Sequence, residues 1–340
     1  MKKYAIFGSL SGKVIIAVIL SLFLILLLSV TRNHDFKEIS SDKVKPGVTF
    51  MGKNLEKMTE AEVTESVKQV SSELYGNPVD AFIEPVTKGV IPELYGYQVD
   101  TGATVEKILR APQGDNVDPV LKDIRPQYTM ENYPDAPLYQ GNSAKRQVSF
   151  LVNVAWGEEY MQEMLDIMKK HNIKSTFFFT GKWVEKNPEI VKDIVSRGHE
   201  AANHGYRDTV LMSQLSAEEI KTDIVKTNSL IKKITGEERV RFFSSHCGEI
   251  TRDILNTTAG LKMRTVMWSL DTVDWMLPGA KIMADKIIKG AHNGATVLMH
   301  PTEQTPEALE IIIQGLEEQG YEIVTLSELI NPSYLSYENI

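Results

Sequence analysis

The sequence predicts an α/β protein whose main body is a (β/α) barrel of about seven units, closed or nearly so, preceded by a small α+β domain and an N-terminal membrane helix. Three observations predict it. Residues 14–30 are apolar apart from Ser21 and Ser29, residues 44–128 carry short strand patterns around two helical stretches, and from residue 148 apolar strands alternate with amphipathic helices without hairpin signals.

At 340 residues, 42% hydrophobic and 24% charged, the chain has globular composition and room for two domains. A net charge of −8 with no basic run excludes a nucleic-acid groove. Cys247 stands alone, so a disulfide framework within the chain and a zinc ribbon are both excluded. Lys2, Lys3 and Lys13 precede the apolar run and only Arg32 flanks it beyond, which places residues 1–13 in the cytoplasm and the rest outside. The run of 14–30 would reach about 25 Å as a helix, enough to span. No small-x-small cleavage site follows at 29–32, so the expectation is an uncleaved single-pass anchor in the cell membrane with a polar tether over 31–43.

The small domain at 44–128 opens on a strand and turn at 46–52. Thr59 and Glu62 form a capping box for a helix through Val63, Val67, Val70 and Leu74. Short strands at 80–86 and 89–92 and a helical turn at 104–109 complete it. Residues 129–147, with Pro134, Pro137 and Gly141, read as a linker or wrapping segment. The barrel follows over 148–330, with strands at 148–154, 175–180, 200–203, 240–243, 265–270, 296–299 and 322–324, and a tail at 331–340. Helices are expected at 160–171, 188–197, 217–234, from 251, at 281–291 and at 306–319.

The loops after the strands of a parallel barrel gather at one face, where a site would sit. The residues that end these strands are Asn153 and Val154, Thr180, His204 with Asp208, residues 244–248, Asp271 with Asp274 and Trp275, and Leu298 with His300. His34, His171, His199 and His292 lie elsewhere and read as solvated or capped. Trp156, Trp183, Trp268 and Trp275 fall at or near strand ends, where indole faces would offer flat binding platforms or pack the barrel mouth.

Several motifs occur in order: Phe177-Phe178-Phe179-Thr180-Gly181, Gly198-His199-Glu200, Asn203-His204, Asp271-Thr272-Val273-Asp274-Trp275 and Leu298-Met299-His300. With them, residues 148–330 resemble the NodB-type polysaccharide deacetylase family, a distorted (β/α)7 barrel. The Asn153-Val154-Ala155-Trp156-Gly157 motif is similar to the sporulation-associated YlxY-type subgroup. Pro46-Gly47-Val48, Gly52-Lys53-Asn54-Leu55 and Gly96-Tyr97-Gln98-Val99-Asp100 resemble the peptidoglycan-binding module found with VanW-type domains; a plain spacer is the other reading of that segment.

The deacetylase resemblance implies metal-dependent removal of N-acetyl groups and assigns positions. Asn153 stands at the catalytic-base aspartate and Val154 at the adjacent metal-ligand aspartate. His204 and Asp208 occupy the paired histidine ligands, and residues 244–248 keep only Gly248 of the groove-lining third motif. Asp271, Asp274 and Trp275 preserve the fourth motif; Leu298 would line the acetyl pocket and His300 would be the general acid.

The substitutions remove chemistry. An amide cannot take the proton of an attacking water, a loss of about 10² to 10⁴ in rate, and two ligands fall short of a catalytic zinc site. The expected protein is therefore a metal-free pseudo-deacetylase that binds peptidoglycan or another N-acetylamino-sugar polymer through groups such as Trp156 and Trp275, in the envelope or sporulation of a Gram-positive cell. The alternative is an active hydrolase with zinc or another divalent cation on His204, Asp208 and His246, and Asp271 or Asp274 as base. A third reading is a structural partner of another envelope protein.

Overall fold

The computed structural model describes residues 43–333. The expected anchor and tether, together with His34 and the end of the tail, lie outside the described residues. Among the described residues no helix is long and apolar enough to cross a membrane.

The chain divides into two compact units. The smaller consists of residues up to Tyr75 with Gln98–Lys122. Its helix Glu60–Glu73 starts at the expected capping box, with the Thr59 main-chain N–H donating to Glu62 Oε2 at 2.8 Å and the Glu62 N–H returning to Thr59 Oγ1 at 3.4 Å. A second helix, Thr101–Arg110, is capped by Asp100. Val63 and Val67 from the first and Val105 and Ile108 from the second close over Phe50 and Val117.

The larger unit takes Gly76–Tyr97 as well as everything from Asp123 onward. A single small domain over 44–128 is thus interrupted, because the hairpin Phe82–Ile83 and Val90–Ile91 has its apolar side chains elsewhere. Ala81 and Val90 pack with Leu138 and the barrel interior, and Asn142 Nδ2 donates to Pro92 O at 2.8 Å.

The barrel strands are β1 (Gln147–Val154), β2 (Thr176–Phe179), β3 (Glu200–Asn203), β4 (Phe242–Phe243), β5 (Arg264–Thr265), β6 (Leu270–Asp271), β7 (Ala295–Met299) and β8 (Glu322–Val324). They form one curled parallel sheet in the order β5-β4-β3-β2-β1-β7-β6, with β8 also on β1. β1 is buried along its whole length, as the central strand of a two-sided parallel sheet must be. Its even residues Val148, Phe150, Val152 and Val154 join the layer under the helices, while Leu151 joins Phe178, Ala202, Phe242 and Val266 in the interior. Helix Glu158–Lys170 presents Met161, Met164, Leu165 and Met168 to that outer layer, at the three- and four-residue spacing of one helix face.

The strand expected at 265–270 is split. β5 pairs with β4 and β6 with β7, and between them Leu138 of the wrapping segment bridges Val266. Arg264 fixes that segment: its Nη1 donates to Tyr133 O at 2.5 Å and Ala136 O at 2.6 Å, and its Nη2 to Met130 O at 2.8 Å. Lys145, 1% exposed, plays a similar part at the chain's end, with Nζ donating to Glu328 O, Leu329 O and Asn331 O at 3.0, 2.8 and 2.6 Å. Pro332 O accepts from Tyr95 N, so the expected tail is held as far as the description extends.

Arg264→Ala would strand three carbonyls that a half-buried guanidinium now satisfies, at a cost of about 1 to 3 kcal/mol. Urea melts are expected to show that loss, and limited proteolysis is expected to open residues 129–137 first.

Candidate functional site

Each polar group at the mouth is placed by its own strand end. β3 stops at Asn203, whose Oδ1 accepts the Gly205 N–H at 2.7 Å and whose Nδ2 reaches Ile224 O and Asn228 Oδ1. That clamp sets the turn carrying His204. His204 Nδ1 donates to Ser244 O at 2.8 Å, so its Nε2 carries the lone pair. His246, on the loop after β4, meets it edge to face with ring centroids 4.4 Å apart.

Burial holds His204 well below the ordinary imidazole value, and neighbouring His246 adds to the effect. His246 is lowered by burial too, against the pull of Asp208. Its Nε2 is buried without a partner, as is Asn153 Oδ1. Both rings are neutral near pH 7.

The second half of the mouth is a tightly held carboxylate and imidazole. Asp274 is 0% exposed; its Oδ1 accepts from His300 Nδ1 at 2.8 Å and its Oδ2 from the His300 main-chain N–H at 2.5 Å. Thr305 Oγ1 approaches the same carboxylate at 3.5 Å and donates to His300 O at 2.7 Å. Trp156 lies nearly parallel to the His300 ring, 9° between planes and 6.0 Å between centroids. The loop pays for this grip in backbone strain: Val273 and Leu277 adopt φ of +56° and +50°, left-handed values that a β-branched residue rarely accepts. The Val273 N–H is held by Asp271 Oδ1 at 2.7 Å.

Of the remaining expected residues, Trp156 and Trp275 are open, at 41% and 60% exposure, whereas Trp183 is buried and stacked on Phe179. Leu298 is buried on the inward face of β7, opposite Leu151. Gly248 has φ +68°, and a Cβ there would lie 2.8 Å from the Trp268 ring, so packing demands the glycine. Val154, expected at a lost ligand position, points away from Asn153 into the apolar layer beneath the helices. His171 sits between Glu310 and Glu317, His199 Nδ1 accepts the Ser175 N–H, and His292 pairs with Ser269, as bland histidines should.

Thr305 escaped sequence reading, because a threonine opening a helix carries no motif; residues 244–248 stood among the expected strand ends, but the part played by the Ser244 carbonyl did not show. Helix Gly181–Lys186 also escaped it, although its cap Thr180, which accepts from Trp183 N, was a visible signal.

A divalent metal does not fit these residues. Among the described residues no group of three or more His, Cys, Asp and Glu could hold an ion, so exposed Asp208 does not complete a centre with His204 and His246.

Three lowered histidines make the fold sensitive to acid. Burial brings His199 to about 4, with His204 and His246 shifted the same way. The unfolded chain binds these protons more readily, so their contribution is complete above about pH 6.5 and is lost as pH falls toward 4. Melting temperature is expected to fall across that window, and His199→Gln is expected to flatten the decline.

A family model described as polysaccharide deacetylase matches residues 140–266. The chain is 35% identical over 271 residues to the uncharacterized protein YlxY of Bacillus subtilis, covering 80% of this chain and 84% of that protein. It is 31% identical over 196 residues to the peptidoglycan-N-acetylmuramic acid deacetylase PdaA of the same organism, covering 56% and 74% respectively. Among solved structures, a CE4-family pseudoenzyme from Bacillus anthracis matches with a TM-score of 0.68 and 34% identity over 79% of this chain and 95% of that one. A mutant of that pseudoenzyme has restored enzymatic activity.

Proposed function

The chain belongs to the polysaccharide deacetylase family, and we propose that it is a catalytically degenerate member that binds peptidoglycan or another N-acetylamino-sugar polymer. The observation that carries this reading is the first strand's end. Asn153 puts an amide where the family's reaction needs a base, and Val154 is committed to apolar packing. The likeness to a pseudoenzyme supports it, and the deacetylase PdaA supports the choice of glycan.

Open Trp156 and Trp275 supply flat faces for sugar rings, and His300 offers a hydrogen-bonding edge between them and the interior. We further place the protein in the envelope, tethered through residues 14–30, with the small unit as a second wall contact; the apolar run with its flanking lysines and the module resemblance support this.

A rebuilt metal centre has one observation in its favour, the approach of His204 to His246. It predicts stoichiometric zinc and acetate release from N-acetylglucosamine oligomers. The degenerate reading predicts neither, together with retention on purified peptidoglycan sacculi that weakens about tenfold or more in Trp156→Ala/Trp275→Ala.

Reconstruction is a sharper test. Asn153→Asp with Val154→Asp and Asp208→His returns the base, the aspartate ligand and the histidine pair. Acetate release above the native protein by about 10² in added zinc is expected.

A further inference from the structure

We propose that the face from which the barrel strands start carries a second binding site, a cleft that takes a phosphate ester with an apolar portion. It lies at the other end of the sheet from the mouth, so it stands whether or not the mouth holds a glycan.

The cleft measures about 910 Å³, within the size range of small-molecule sites. Arg241 precedes β4 and Lys262 precedes β5, and the two strands pair through Phe242 and Arg264, so these cations gather where the strands begin. Met130 and Pro134 of the wrapping segment and Ile330 after the last helix supply apolar walls.

Arg239, Arg241, Lys262 and Arg264 line the cleft against Glu93, Glu131 and Glu328, an excess of cations in a chain whose net charge is −8. None of these side chains forms an ion pair with a described residue. Lys170 and Lys192 show the usual surface arrangement, each held by a carboxylate, Glu310 and Glu189. In the cleft the carboxylates are committed elsewhere: Glu93 Oε2 accepts from Met130 N at 2.8 Å, and Glu328 Oε2 accepts from Thr325 N and Oγ1, both at 2.8 Å. Arg264 is spent on the carbonyls of the wrapping segment, and Arg239 donates to Lys262 O. Arg241 and the Lys262 ammonium make no hydrogen bond with any described residue. Glu200, held by Thr176 and Ser327, feels the charge of Arg241 without bonding to it.

Lys262 also occupies a costly backbone position. Its φ of +56°, just past helix Arg252–Gly260, is the left-handed conformation that glycine fills at helix ends, yet the turn keeps a lysine there.

Two cationic heads without a protein partner, beside a third that is only partly used, call for a compact dianion. A guanidinium fork grips two oxygens of one phosphate and the lysine adds a point charge, whereas a single carboxylate would leave one of those charges unmet. A smaller cleft of about 380 Å³ shares Arg239 and Arg241 but is lined by Glu237 and Glu328, which confines the anion to the larger one. The apolar walls then face whatever the phosphate carries, a small soluble alcohol or the glyceride of a lipid.

Calorimetric titration of the full chain in detergent solution with inorganic phosphate, glycerol 3-phosphate and dihexanoyl phosphatidic acid tests the site. Saturable binding is expected for both phosphate esters, weakened by salt, and none for dihexanoylglycerol, which lacks the phosphate. Arg241→Gln and Lys262→Gln are each expected to weaken it by about tenfold or more, with Arg241→Lys in between and Lys281→Gln, on an outer helix, unchanged. Tighter binding of the lipid ester by about tenfold or more assigns the phosphate to a lipid head group, and equal binding of the two assigns it to a soluble ester. Absence of saturable binding by both esters, equal binding of dihexanoylglycerol, or unchanged affinity in folded Arg241→Gln and Lys262→Gln overturns the site. Should those variants unfold, the native protein decides: slower acetylation of Lys262 in the presence of glycerol 3-phosphate, read by peptide mass spectrometry, supports the site, and an unchanged rate overturns it. Trp156→Ala/Trp275→Ala is expected to titrate like the native chain, so failure of the glycan reading leaves this one standing.

Discussion

One buried carboxylate organises the mouth of this barrel. Asp274 has no access to solvent, and its two oxygens accept from the main chain and the ring of His300, with Thr305 Oγ1 also approaching. Desolvating a carboxylate is costly unless it is fully hydrogen-bonded, so the loop must keep the geometry that supplies those bonds. The positive φ of Val273 and Leu277, the exposure of Trp275 between them and the near-parallel Trp156 and His300 rings accompany that geometry.

The opposite half has lost its electrostatic character. Where the family's reaction uses carboxylates and a cation, this chain has an amide, an isopropyl group facing another layer, and two neutral imidazoles. Such a surface can offer hydrogen bonds and apolar contact but little charge. The orphaned Oδ1 of Asn153 and Nε2 of His246 mark the same change, since a polar atom buried without a partner is normally unfavourable by about 1 to 3 kcal/mol.

Much of the architecture was legible because the local signals agree with the packing. Thr59 with Glu62, the strand at 200–203 and the methionine face of Glu158–Lys170 fall where periodicity puts them. The split between β5 and β6 was not, since it depends on Leu138, a residue distant in sequence, entering the sheet. Nor was the return of 76–97 to the larger unit, which is decided by contacts of Ala81 and Val90 that local pattern does not record. At the site, strand ends located His204, Asp274 and His300. The divergence of Asn153 and Val154 follows from the two-residue period of a strand, and family motifs obscured it by treating the two as a pair.

Arg264 and Leu138 carry a consequence for how this molecule can be cut. The repeating units begin near residue 148, but the sheet is completed by a stretch upstream of it, fastened through three main-chain oxygens. A fragment trimmed to the repeats would leave the edge beside β5, which Leu138 now pairs at Val266, open to other strands. The repeating pattern and the unit of folding therefore begin at different residues, and any transfer of this barrel between proteins must carry its wrapping strap along.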